Sequence, residues 1–145
     1  YNHESERRTE DYVTRKITRS VAKISLGLQD KLFLGNLDTK IDFGYAPEYM
    51  EAAWNIMQLD YADDFIIGTG EVHTVKEFLH EAFEIVGLNP DNYVKFDPKF
   101  ARPSDTSLLV GDISKAKKAF GFRPQVTFKK LVKLMVENDI AELKQ

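Results

Sequence analysis

Apolar residues along the chain recur in two rhythms, and the longer one comes first. Val13, Ile17, Val21, Ile24 and Leu28 fall at helical spacing and predict a helix with one buried stripe. Thr9 is its expected cap, with Glu10 and Asp11 in the positive first turn. Arg15, Lys16, Arg19 and Lys23 fall off the stripe, and Gly27 loosens or ends the helix. Residues 31–34 predict a short strand closed by the Gly35-Asn36 turn, and 38–44 a loop or short extended piece. Pro47 suits the first position of a second helix with Met50, Ala53, Trp54 and Met57 as its apolar face. Residues 64–69 form a β-branched run that predicts a buried strand. Thr74 and Glu77 predict a capping box opening a helix on Val75, Phe78, Leu79, Ala82, Phe83 and Val86, stopped by Gly87 and Pro90. Residues 93–96 alternate as a strand, 97–107 are a polar loop, and 108–110 suggest another short strand. A short helix starts at Asp112 or Ser114 and ends at Gly121. Thr127 caps the last helix, which carries Phe128, Leu131, Val132, Met135 and Val136. The order is that of an α/β or α+β fold in one domain, residues 1–145, whose strands are too short for a complete doubly wound sheet. The alternatives are a small sheet, or strands that complete a sheet in a missing half.

Composition narrows this. Apolar residues make up 43% of the 145, as in a globular domain. The net charge of −3, with both signs interspersed, argues against a nucleic-acid surface. There is no cysteine, so disulfides and thiolate chemistry are excluded. No apolar run approaches the roughly 18–20 residues that cross a bilayer, and no stretch of the sequence reads as a signal peptide. The expectation is a cytoplasmic protein without membrane partners. Because Tyr1 is no initiator and a function-rich loop follows it at once, a fragment of a longer protein is also expected.

Candidate chemistry gathers near the start. Arg7-Arg8 with Arg15 and Lys16 is a candidate anion site, since guanidinium forks match phosphate and lysine supplies a point charge. The competing reading is a solvated helix start paired to Glu4, Glu6 and Glu10. Gly35-Asn36 offers backbone amides to a ligand or simply ends a strand. Arg102 and Asp105 suit a diphosphate and a ribose diol, or a local salt bridge. His3, His73 and His80 lack metal-ligand spacing. Tyr12 and Lys16 resemble by their four-residue spacing the catalytic Tyr/Lys pair of short-chain dehydrogenases, but in that superfamily the catalytic helix comes before the Asn-His-Glu-Ser loop, so Tyr12 is rejected as a base.

Several blocks then follow one another in order: Asn2-His3-Glu4-Ser5, Arg7-Arg8, Val13-Thr14-Arg15-Lys16-Ile17, Leu34-Gly35-Asn36-Leu37-Asp38, Asp42-Phe43-Gly44-Tyr45-Ala46, Thr69-Gly70-Glu71-Val72-His73-Thr74-Val75, Arg102-Pro103 and Gly111-Asp112. Together they resemble the C-terminal half of the GDP-mannose 4,6-dehydratase family of extended short-chain dehydrogenases, over nearly the whole chain. The resemblance implies a substrate-binding part whose helices and short strands complete a Rossmann sheet supplied by an N-terminal half. That absent half would carry the Gly-rich NADP loop and the catalytic Thr, Glu, Tyr and Lys, so no catalytic residue is expected here.

By the same resemblance, His3 and Arg8 would touch NADP, and Asn2 would hold the sugar diphosphate. Val13 and Lys16, with Gly35 and Asn36, would line the guanosine-diphosphate pocket; Arg102 would pair with the diphosphate and Asp105 face the ribose. The implied reaction converts GDP-mannose to GDP-4-keto-6-deoxymannose by an internal redox cycle, in a homo-oligomeric parent. Three departures stand out: Glu6 and Thr9 replace the family's usual Pro and Gly, Ile41 its usual Arg, and Asp105 its usual Glu. They keep open two alternatives: another extended short-chain dehydrogenase acting on a nucleotide-sugar, an epimerase or reductase, and a non-catalytic interaction module.

Overall fold

Three of the helices bury against one another because each carries a single apolar stripe. The computed structural model describes residues 1–100 and 110–145. Its helices are α1 (Val13–Ser25), α2 (Ala46–Met57), α3 (Val75–Ile85), α4 (Ser114–Phe120) and α5 (Phe128–Leu143). The strands are β1 (His3–Glu4), β2 (Leu32–Leu34), β3 (Lys40–Ile41), β4 (Gly44–Tyr45), β5 (His73–Thr74) and β6 (Val94–Phe96). Helices α1, α3 and α5 pack together, with Ile17, Val21, Phe78, Phe83, Leu131, Val132, Met135 and Val136 at the centre. Among the described residues, no helix is long and apolar enough to cross a membrane.

Among the described residues, the strands form three separate pairs rather than one sheet. β1 runs parallel to β4, β2 parallel to β6, and β3 antiparallel to β5. The capping box of α3 is present in both directions between Thr74 and Glu77, and Gly87 follows that helix at φ +68°. Gly121 closes α4 in the left-handed conformation, and Thr127 caps α5. His73 stacks on Phe128 at 3.8 Å between ring centroids, which ties β5 to the start of α5.

Several expectations fail locally. Helix α1 starts at Val13, capped by the backbone of Tyr12, because the Thr9 carbonyl accepts from the Tyr12 amide in a preceding turn. Glu10 therefore lies outside the first turn and pairs with Arg19 at 3.5 Å instead. The outermost member of the predicted stripe, Leu28, lies beyond the helix and is exposed. The buried face of α2 is Tyr49 and Ala52, whereas Met50, Trp54 and Met57 are exposed, Trp54 by 63%. Its phase is set by Tyr49, whose ring fills the space over Gly44 that a Cβ would need.

Residues 64–69 are not a strand, and Ile66 is 45% exposed. The run has the right residues but pairs with no strand among the described residues, and a strand exists only with a partner. The Tyr1 backbone nitrogen donating to the Ile67 carbonyl at 3.0 Å is one contact that reaches it. The 108–110 strand falls mostly on residues outside those described; Val110 itself lies in none.

The end of the 64–69 run, at Thr69 and the following Gly70, is anchored by Asp42. Its carboxylate is fully buried and accepts from the Thr69 amide (2.9 Å) and hydroxyl (2.7 Å), the Gly70 amide (3.2 Å) and the Gly111 amide (3.3 Å). Gly68 is required by this packing, since a Cβ there would lie 2.9 Å from Asp42 Oδ2. Asp42→Ala strands these buried donors and is expected to cost on the order of 3 kcal/mol, against about 1 kcal/mol for Thr74→Ala at the α3 cap. Urea midpoints of the two variants check the ranking; equal losses would refute the role given to Asp42.

Candidate functional site

The opening loop is shaped by short-range pairing. The Gly44 amide donates to the Asn2 carbonyl at 3.0 Å, and this seats β1 on β4. His3 faces Tyr49 at 5.1 Å between ring centroids, with Nδ1 3.1 Å from the Tyr1 carbonyl oxygen. On the other face of β1, Glu4 is only 4% exposed and accepts from the Thr14 hydroxyl at 2.7 Å. Its Oε2 also meets Arg8 Nε at 3.3 Å, an ion pair by distance though without hydrogen-bond alignment. The Arg8 guanidinium lies 3.5 Å above the Tyr12 ring centroid. Its terminal nitrogens make no hydrogen bond among the described residues, so they are available to an anion.

The four-membered anion cluster read from the sequence comes apart. Arg15 is buried rather than off the stripe. It pairs with Asp139 at 2.9 Å and Glu142 at 3.3 Å, and its Nη1 donates to the Glu6 carbonyl. Burial pushes the Asp139 carboxyl above its ordinary value, against the pull of Arg15 and Arg19. Arg15 is therefore a clamp between α1, α5 and the loop. The sequence signal missed was the interior Asp139 on the apolar face of α5, which calls for a cationic partner.

Lys16 turns toward the far ends of β2 and β6. Its ammonium sits 3.2 Å over the Phe100 ring, and burial lowers its pKa while Asp97 opposes the shift. The Asp97 amide donates to the Leu34 carbonyl at 2.9 Å, fixing this edge beside Gly35. Gly35 and Asn36 line a shallow cavity of about 310 Å³ with Lys76, Lys95 and Phe96. Asn36 Oδ1 is taken by the Asp38 amide at 2.9 Å, whereas the exposed Phe96 ring offers a stacking surface.

Sequence reasoning found Gly35 and Asn36 but missed Phe96 and Phe100, which read there only as strand and loop residues. Val13, at the first position of α1, is partly buried against the core, and the other candidates fall into two groups: Asn2, His3 and Arg8 in the opening loop, and Lys16 with Gly35 and Asn36 near β2. No hydrogen bond or ion pair among the described residues links the two. Arg102 and Asp105 lie outside the described residues.

This arrangement of helices and short strands is the fold of extended short-chain dehydrogenases. RMD from Pseudomonas aeruginosa, solved with NADPH, superposes with a TM-score of 0.87 over 97% of this chain and 46% of its own at 18% identity. A UDP-glucose 4-epimerase from Thermotoga maritima, solved with UDP-glucose, gives 0.78 over 98% and 44% at 24% identity. Within that class, the chain belongs to the GDP-mannose 4,6 dehydratase family, whose model matches residues 1–135.

GDP-mannose 4,6 dehydratase 2 of Arabidopsis thaliana is 51% identical over 140 residues, covering 97% of this chain and 38% of the relative. The Homo sapiens GDP-mannose 4,6 dehydratase is 43% identical over 97% of this chain and 42% of its own. The chain thus spans about two fifths of the length of these curated relatives.

Glu4 offers a direct check on the loop. Its burial raises the carboxyl pKa above the ordinary 4.5, with Thr14, Arg8 and His3 opposing. On acidification it should gain its proton before an exposed glutamate does, releasing Arg8. The folded state then binds that proton more tightly than the unfolded chain, so Glu4's own contribution to stability rises as pH falls through the folded pKa. A carboxyl NMR titration placing Glu4 at or below 4.5 contradicts this.

Proposed function

We propose that this chain is the nucleotide-sugar-binding part of a GDP-mannose 4,6-dehydratase, a lyase converting GDP-mannose to GDP-4-keto-6-deoxymannose with NADP. The observation that carries the reading is the family match across residues 1–135, alongside relatives of that name up to 51% identical. When bound, NADP would supply reversible hydride-acceptor chemistry to the hexose. The residues present fit such a group on chemical grounds, since the terminal nitrogens of Arg8 make no hydrogen bond among the described residues. In this reading His3 and Arg8 meet the cofactor. Asn2 holds the sugar diphosphate, while Val13 and Lys16, with Gly35 and Asn36, line the guanosine-diphosphate pocket. Arg102 and Asp105 complete it. Binding energy from the remote nucleotide orients the hexose for chemistry done by groups elsewhere in the parent protein.

Ile41 supports one further alternative. It packs against the core from β3, opposite His73, and so gives a ligand no charge where the family usually places arginine. A parent acting on a different nucleotide-sugar is the reading this favours. The full-length protein, assayed with GDP-mannose and NADP, is expected to form the 4-keto product and to prefer GDP- over UDP- and dTDP-sugars in competition. This chain alone is expected to show no turnover. Activity of the isolated chain, or a UDP preference in the parent, would overturn the assignment.

We also assign the exposed Met50, Trp54 and Met57 and the unpaired run at Phe65–Ile67 to contact with the rest of the parent polypeptide. The support is their apolar character and the relatives' greater length. Hydrogen exchange should find the amides of residues 65–67 protected in the full-length protein and open in this chain. Equal exchange in both would refute the contact.

A further inference from the structure

We propose that Tyr12 and Glu4 are positioning residues that hold the Arg8 guanidinium as a preformed fork for a phosphate of the dinucleotide cofactor. The inference deepens the reading that Arg8 meets that cofactor, and it rests on it. A free arginine side chain samples many rotamers and loses that freedom when it grips an anion. Arg8 is restrained on two sides before any ligand arrives. One face of its plane lies 3.5 Å over the centroid of Tyr12, and Nε is held 3.3 Å from Glu4 Oε2.

Glu4 cannot swing away, because it is buried in β1 and tied to the Thr14 hydroxyl at 2.7 Å. What remains is the edge carrying the two terminal nitrogens, the geometry that meets phosphate with two parallel hydrogen bonds. Tyr12 is half exposed, and its backbone alone caps α1. Its ring therefore has little structural duty beyond carrying Arg8.

The test uses the full-length parent protein and measures NADPH and GDP affinities by titration calorimetry. Tyr12→Ala is expected to weaken NADPH binding about three- to fivefold, the range of an exposed cation–π contact, and to leave GDP affinity unchanged. Tyr12→Phe, which keeps the π face and loses the hydroxyl, should restore NADPH binding to within about twofold of wild type. In an Arg8→Ala background, Tyr12→Ala should add nothing, since the group it positions is gone. Equal losses from Tyr12→Ala in both backgrounds, or from Tyr12→Phe and Tyr12→Ala, would overturn the proposal. So would a silent Tyr12→Ala where Arg8→Ala weakens NADPH, and that outcome leaves the cofactor reading of Arg8 intact. Wild-type NADPH affinity in Arg8→Ala would sink both together.

Discussion

The carboxylate of Asp42 is the constraint on which the rest of this structure hangs. A buried carboxylate is expensive unless every lone pair finds a donor. Here the donors come from Thr69, Gly70 and Gly111, all remote in sequence from Asp42. The same residue sits between β3 and β4. Fixing Asp42 therefore fixes Gly44, the strand β1 that pairs with it, and the loop that carries His3 and Arg8. Packing at Gly68 and Gly44 is close enough that no side chain fits at either place. One ion thus ties a segment without regular structure to the candidate site.

Arginines that look alike in the sequence acquire opposite duties from burial. Arg15 lies against Asp139 inside the α1–α5 interface, where removing one partner would leave a charge unpaired. Its donation to the Glu6 carbonyl means that this interior pair also holds the loop. Arg8 lies at the surface with one edge unsatisfied among the described residues. The difference depends on Asp139, which is more than a hundred residues away along the chain, so no local pattern near Arg15 could have revealed it.

Family membership and the loop's geometry answer to different features of the chain. Family membership follows from sequence identity along nearly the whole chain, and the fold from superposition on solved structures of low identity. Neither says how an arginine is held. That comes from Glu4, Thr14 and Tyr12, where a buried acid, a hydroxyl and an aromatic face act on one side chain.

Read alone, the sequence determined the helices that bury one stripe: α1, α3 and α5 are legible because 3.6-residue periodicity and the Thr74 and Thr127 caps are local signals. It also determined the family, through short blocks whose order is itself information. Tertiary structure decided what periodicity cannot reach. Helix α2 buries Tyr49 rather than Trp54 because the ring has a glycine to lie on. Residues 64–69 have strand composition without a ladder, since pairing belongs to two segments and never to one. The arginine-rich opening looked at first like a single anion site. Contacts with α5 on one side and with β1 and Tyr12 on the other divided it into a clamp and a fork.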